Sequence, residues 1–512
     1  MCGWCLAFLA VLAVGTAAAA ACFYFGRPFP NEAPPTTSLS ELPVASPVQI
    51  EEFCSKCHAY PPPDTFPRSA WKEEVEKAYK IIAMSNVSAR PPPLDQVLTY
   101  YEKRAPLELP FPLITRATSP LPLRFQRTEY PVYPQASDPA ISNVNLVHLF
   151  DERRLDVLAC DMRAGLVLAL SPYAPSPAWK VLGKVPNPAH AEVVDLDGDG
   201  VKDILVANLG SMEPADHYDG SVVWLRGNRD GTFTPVTLLK DVGRVADVQA
   251  ADFRGVGKLD LVVAEFGLFR TGRVLYLENQ TTDWSHPVFV PRVLDDRHGA
   301  IHVPVGDING DGRPDFVALI SQEHETIVAF LNEGDGHFRK ETIYTGPHPA
   351  YGSSGIQLVD INGDGRLDVL YTNGDTMDPP YLLKPYHGIQ WLENRGRFPF
   401  VHHPITPMYG VFRAVAADFQ HNGRPDIVAV SYLPESRFPQ RKQRDLDAVI
   451  YLEQTEPGQF ARHSLETVTC DHVTCAAGDI FASGKIDLVT GNFVFDPAEH
   501  AITIRKNLGR GR

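Results

Sequence analysis

Between Cys2 and Phe25 the chain contains no acidic or basic residue. A cleaved export signal normally opens on basic residues, and here Arg27 follows the apolar run instead of preceding it. The stretch from Trp4 to Phe25 is long enough to span a bilayer, so three outcomes stay open: a cleaved signal peptide, a lipoprotein signal with Cys22 acylated, or an uncleaved membrane anchor. Each carries the rest of the chain out of the cytoplasm. Basic stretches are scarce as well. With 47 Lys and Arg against 62 Asp and Glu the net charge is −15, which makes the chain a poor partner for nucleic acid. The one basic run, Arg437 to Arg444, is short and reads as a solvated loop. Cysteine is sparse, eight in 512 residues. Cys470 and Cys475 are candidates for a disulfide in an exported protein, and Cys160 reads as a buried thiol. No nucleophile–histidine–acid triad is recognisable, so no catalytic residue is assigned.

Repetition is what the sequence does contain. Six times an aspartate is followed eight residues later by a second that opens a β-branched run: Asp195/Asp203, Asp252/Asp260, Asp307/Asp315, Asp360/Asp368, Asp418/Asp426 and Asp479/Asp487. A worn seventh copy, His148/Asp156, keeps only the second acid. The first residues are spaced by 47, 57, 55, 53, 58 and 61, a period that marks a solenoid or a propeller. The copies hold strand-length apolar runs without helical periodicity, which selects a propeller blade.

Three copies are complete as D-x-[DN]-G-D-G-x-x-D: Asp195, Asp197, Asp199, Asp203; Asp307, Asn309, Asp311, Asp315; and Asp360, Asn362, Asp364, Asp368. Oxygen ligands at alternating positions around a glycine turn suit calcium, which takes six to eight oxygens. The flanks, such as Ile204-Leu205-Val206-Ala207, are strands and not the helices of an EF-hand. A metal-free Asx turn is the alternative. Calcium is favoured because carboxylates this close repel one another unless neutralised. About three calcium sites are expected, offsetting six negative charges. The other copies carry Arg254 and Val256, Gln420 and Asn422, or Phe481 and Ser483 at the middle positions, and read as metal-free turns.

A second element follows the loops: Gly227-Asn228-Arg229-Asp230-Gly231-Thr232-Phe233, Asn332-Glu333-Gly334-Asp335-Gly336-His337-Phe338 and Asn394-Arg395-Gly396-Arg397-Phe398. Asparagine and glycine supply a tight hairpin and phenylalanine starts the outer strand. Loop and hairpin together resemble the FG-GAP/VCBS repeat family of integrin-α-like β-propellers over residues from about 140 to 508. That resemblance implies blades with calcium between their first and second strands. Phe266-Gly267 is present, but no GAP tripeptide follows. The last copy ends near Leu508 without its outer strand, and an open edge invites aggregation. Residues near 123–128 are expected to fill the gap, closing a seven-bladed, mainly β propeller over residues 120–512.

Ahead of the ring, a proline-rich tether (26–45) follows the apolar segment (1–25), and Cys54-Ser55-Lys56-Cys57-His58 comes next. C-x-x-C-H is the attachment signature of c-type haem: two thiols form thioethers and the histidine ligates iron. Ser46-Pro47 caps an expected helix from Val48 to Cys57, and Trp71, Val75, Tyr79 and Ile82 mark a second. Leu94, Val97, Leu98 and Tyr101 mark a third. Residues 46–110 resemble a short, all-α cytochrome c domain, whose family implies a methionine as sixth ligand. Met84 is the one placed for it.

If the aspartate loops and the hairpins share one face, the interblade connections and the second-to-third strand loops share the other. His190, Asp247, His302 and Arg413 each fall five residues before a loop aspartate, so one level around the channel is expected for them. His472, His387, Arg244, His298, His217 and the pair Asp375/Asp378 belong to the same face. Loops on a rigid scaffold collect binding residues, and mixtures of histidine and carboxylate also suit a transition metal. The face is expected to bind a small molecule, a glycan, a protein or the haem domain itself. Two readings follow: an extracytoplasmic haem protein passing electrons between an unknown redox partner and this face, or a non-enzymatic calcium-dependent binding propeller with the haem as sensor or remnant. Protein made in a host competent in cytochrome maturation should gain the mass of one porphyrin, and a mature chain of unmodified mass eliminates the electron carrier.

Overall fold

The computed structural model describes residues 44–56, 58–84, 90–133, 138–495 and 497–511. Seven antiparallel sheets make up the ring, six of them with their strands in sequence order from first to last. Blades 1 to 6 span 141–184, 188–242, 245–295, 300–345, 353–407 and 411–467. In blade 7 the strands His472–Gly478, Asp487–Asn492 and His500–Arg510 are completed by Leu123–Pro131, which pairs antiparallel with His500–Arg510. Chain segments from both sides of the repeat array therefore share one sheet, and no blade is left with three strands. Blade 4 splits its first strand into Ala300–His302 and Val305–Gly306, because Pro304 between them has no amide hydrogen for the ladder.

The second strands, such as Asp203–Asn208 and Asp315–Ile320, are buried at every residue. They run as continuous apolar segments because sheets pack on both of their faces. Outer strands alternate instead, as in Phe233–Val242. The main cores lie between neighbouring blades: Trp224, Val248, Leu261 and Leu275 join blades 2 and 3, and Tyr371, Ile356, Leu319 and Ile343 join blades 4 and 5.

The acid that opens each second strand is a tie within its blade. Asp203 accepts from Leu196 N at 3.0 Å and Gly227 N at 2.7 Å, and Asp315 from Ile308 N at 3.0 Å and Asn332 N at 2.7 Å. Asp368 and Asp487 make the same two bonds. The hairpin asparagine then reaches across the seam between blades. Asn332 Nδ2 donates to Phe253 O, Asn394 Nδ2 to Ile308 O, and Asn507 Nδ2 to Phe419 O, at 2.9, 2.9 and 3.1 Å.

The helices run Pro47–Cys54, Trp71–Met84 and Leu94–Arg104. The first has a capping box between Ser46 and Gln49 and ends three residues short of the expected Cys57, because Ser55 N and Lys56 N turn back to Glu51 O and Phe53 O. Ile50, Trp71, Val75, Val97 and Tyr101 form its core, against which Ala350 and Leu382 of the propeller pack. Residues from Val44 onward thus make one compact body. Two further expectations change. Cys470 and Cys475 are free thiols; Cys470 Sγ turns to Leu446 O and Asp447 O at 3.8 and 3.7 Å, and burial pushes both thiols up to about 12. The basic run is not simply solvated, since Arg441 is 5% exposed and pairs with Asp471 at 2.8 Å. Among the described residues no helix is long and apolar enough to cross a membrane.

Removing a seam asparagine strips a buried donor from two carbonyls, for Asn394 those of Ile308 and Leu367. Asn394→Ala is expected to cost about 1–3 kcal/mol, whereas Asn228→Ala, whose amide meets only Thr232 and Thr234, should be near neutral. Urea midpoints of the two variants check the difference.

Candidate functional site

The first strand of each blade lines the channel. Five residues before the loop acid, or before His148 in the worn copy, stand Asn143, His190, Asp247, His302, Gly355, Arg413 and Thr474 in turn. His190 Nδ1 lies 2.8 Å from Asp247 Oδ1, and His302 Nδ1 lies 3.8 Å from Asp247 Oδ2. Val303 N donates to Asp247 Oδ2 at 2.9 Å, and Arg413 Nη1 donates to His302 Nε2 at 3.1 Å. Arg413 reaches past blade 5, where a Cβ on Gly355 would lie 3.2 Å from its Cδ. Glycine at that position keeps the path open.

Burial opposes charge on every member, and the pairings decide the outcome. Asp247 is pulled well below the usual carboxylate range because His190 and His302 outweigh its desolvation. His190 is raised despite burial by the same Asp247, while burial and Arg413 lower His302. The contacts thus favour the charged forms of His190 and Asp247 and disfavour that of His302. Glu192 lies one step further along, with one buried oxygen lacking a hydrogen-bond partner, and desolvation pushes it up to about 7.

His190, Asp247, His302 and Arg413 therefore meet in one charged network, in which His190 Nδ1 approaches Asp247 without hydrogen-bond alignment, whereas His472 and His387 stand apart from it. His472 Nε2 lies 3.4 Å from Glu466 Oε1 of blade 6, beside Arg505. His387 is buried under the helical segment near His348 and Tyr386, with neither ring nitrogen hydrogen-bonded; burial holds it well below its ordinary value. Above the ring, loops of several blades converge: Met162, Met212, Met377 and Phe412 pack on Tyr432, Val473 and Phe493. The helical segment sits at the blade 5 side of this face, with Lys384 Nζ 6.0 Å from the Phe66 ring centroid.

The aspartate loops differ among themselves. In blade 2 one carboxylate oxygen each from Asp195, Asp197 and Asp203 lie within 4.8 Å of one another. Gly198 and Gly200, at φ of 71° and 80°, supply the turn, and Asp199 takes the amide of Val201. Asp197 Oδ2 is buried without a hydrogen-bond partner and 2.7 Å from Arg226. In blades 4 and 5, as in blade 2, the first acid accepts from a loop glycine, Asp307 from Gly312 and Asp360 from Gly365 as Asp195 from Gly200, and Asp311 and Asp364 are held by Arg313 and Arg366. Asn309 and Asn362 donate to Asp311 and Asp364. Asp315 and Asp368 already accept two backbone amides each, as Asp203 and Asp487 do. In blade 3, Arg254 occupies the position of Asp197 and forks onto Asp260 at 2.9 Å. A guanidinium there does the charge compensation a bound cation would do elsewhere.

In the CSKCH segment, His58 Nδ1 donates to Ala59 O at 2.8 Å. Cys54 Sγ is 3.9 Å from Tyr101 Oη at the edge of the helical core. Cys57 and the Met84 side chain lie outside the described residues. Sequence reasoning missed Glu192, whose signal was its place two residues after His190 on a channel strand. It also missed Glu323 and His324, in a short loop without a repeat signature.

The chain carries FG-GAP-like repeats in a seven-bladed β-propeller: that family's pattern matches residues 195–263 and 307–371. Among curated proteins it is similar to cartilage acidic protein 1. The Homo sapiens protein is 24% identical over 301 residues, covering 55% of this chain and 43% of that protein. The Mus musculus protein is 24% identical over 269 residues, covering 49% and 40%. The chain spans less than half the length of these curated relatives. A crystal structure of BBS1N in complex with ARL6DN covers 74% of this chain and 96% of that chain at 10% identity, with a TM-score of 0.44.

Glu192 gives the ring a pH dependence. Its folded value of about 7 exceeds the unfolded carboxylate value of about 4.3, so its contribution to stability is present below the unfolded value and lost as pH rises through about 7. Glu192→Gln should flatten the fall in urea midpoint across that window, and an unchanged slope would assign the effect to other groups.

Proposed function

We propose that this is an extracytoplasmic binding propeller, calcium-stabilised on one face and engaging a ligand through the loops of the other. The observation that carries the reading is the division of labour between faces. One face holds acid loops with a common backbone plan. The other gathers unlike loops from several blades, Met162, Met212 and Met377 among them, beside a docked helical segment. Methionine is adaptable and suits a surface that moulds to a partner. The channel network of His190, Asp247, His302 and Arg413 supports this surface from below. The likeness to cartilage acidic protein 1 and the apolar stretch from Trp4 to Phe25 both favour an exported location.

Calcium fits the blade 2 loop best, where Asp195, Asp197 and Asp203 already converge. Each complete loop would have to release a carboxylate from an arginine before binding a cation: Asp197 from Arg226 in blade 2, and Asp311 and Asp364 from Arg313 and Arg366 in blades 4 and 5. A second reading is favoured by one specific observation, the CSKCH segment with His58 Nε2 left for iron. In it, Cys54 and Cys57 would hold a haem, His58 would ligate its iron, and Met84 is the candidate for a second protein ligand. Such a group supplies one-electron exchange, and the propeller face would receive the partner.

At about 1 mM calcium, a site with a dissociation constant of roughly 0.1–1 mM stabilises the fold by about 0.4–1.4 kcal/mol. Chelation should lower the melting temperature, and Asp197→Ala should remove more of that shift than Asp311→Ala. A melting curve indifferent to chelator discards the calcium reading. The binding reading also requires ligand affinity to survive His58→Ala, whereas the haem reading requires that substitution to abolish electron exchange while the fold persists.

A further inference from the structure

On the face opposite the aspartate loops, blade 4 brings together three groups that neither reading uses. His298 lies in the connection from blade 3, and Glu323 and His324 lie in the turn between the strands Asp315–Ile320 and Thr326–Gly334. One ligand atom from each lies within 4.8 Å of the others. His298 Nε2 is 2.9 Å from Glu323 Oε1 yet buried without a hydrogen-bond partner, so the two approach without the alignment of donor and acceptor. The imidazole rings of His298 and His324 are 5.0 Å apart between centroids.

The backbone holding them is constrained. Gln322 and Glu325 flank the pair at φ of 56° and 43°, left-handed conformations that L side chains rarely adopt. Glu325 anchors the turn by accepting from Gly352 N and Ser353 N of blade 5 at 2.8 and 2.9 Å. On the other side Gly299 N donates to Phe266 O, and Ser321 N donates to Gly299 O. The nearby cation, Arg297, is occupied by a fork onto Asp295 at 2.9 Å.

We propose that His298, Glu323 and His324 form a binding site for one divalent transition-metal ion of the zinc class. Two imidazoles and one carboxylate are a donor set suited to zinc, and three protein ligands leave a coordination position for water or a ligand group. His298 and Glu323 side chains retain 16% and 26% exposure, so the open position faces solvent. This site differs from the calcium loops in ligand chemistry and in face, and it stands whether or not the propeller engages a partner.

The test is zinc titration calorimetry on the full chain in calcium-containing buffer, with cobalt absorption as the coordination readout. His324→Ala, at the turn, is the primary variant because His298 packs against Gly272. One zinc equivalent is expected in the parent protein. It should weaken by about 100-fold or more in His324→Ala, since loss of a mere supporting partner already costs 10–100-fold, and by a comparable factor in Glu323→Gln. The calcium-dependent melting shift should be unchanged in both variants, which separates this site from the calcium reading. Equal zinc affinity in parent and His324→Ala overturns the proposal. So does a cobalt spectrum with thiolate charge-transfer bands that persists in the variant, because that places the metal on cysteine.

Discussion

A buried carboxylate at the start of each blade's second strand organises this fold. Asp156, Asp260, Asp315, Asp368, Asp426 and Asp487 are wholly buried and Asp203 is 1% exposed. An acid so placed is tolerable only if donors surround it. The donors are backbone amides, typically one from the residue after the loop's first acid and one from the end of the third strand. One side chain thereby fixes both the loop and the hairpin of its blade. Where the cation-type residues have been lost, other donors have moved in: Arg254 and Tyr276 around Asp260, Gln420 and Tyr451 around Asp426, Ser171 and Tyr173 around Asp156. The carboxylate persists while its company changes, so its first duty is architectural.

That tie frees the opposite face. Because loop and hairpin are fixed on one side, the connections on the other side vary in length and chemistry without unsettling the ring. The variation is concentrated over the channel, where Met162, Met212, Met377, Phe412 and Phe493 meet above the network around Asp247. The helical segment uses the same freedom. It packs on Ala350 and Leu382 of blade 5, and Glu74 of its second helix shares surroundings with Lys384 and Asp378.

The blades and their number were legible because each depends on local pattern. Strand alternation, glycine turns and the eight-residue spacing of acids are read along the chain. The level of His190, Asp247, His302 and Arg413 was also legible, since an identical offset from a repeated landmark becomes an identical height in a ring. Their bonding was not. Nothing local indicates that Arg413 passes Gly355 to reach His302, or that His472 turns away to Glu466. The free thiols of Cys470 and Cys475 were misjudged for a related reason: closeness in sequence says little about side-chain direction at a strand entrance.

By itself, then, the sequence determined the repeat and the ring, because hydrogen-bond closure within a blade is a short-range matter. Tertiary structure alone decided which charged groups meet. His190 and His302 become different acids through contacts with Asp247 and Arg413 from other blades. His298 finds Glu323 and His324 only when the connection from blade 3 folds against the turn of blade 4. Desolvation and pairing act through space, and no period along the chain encodes them.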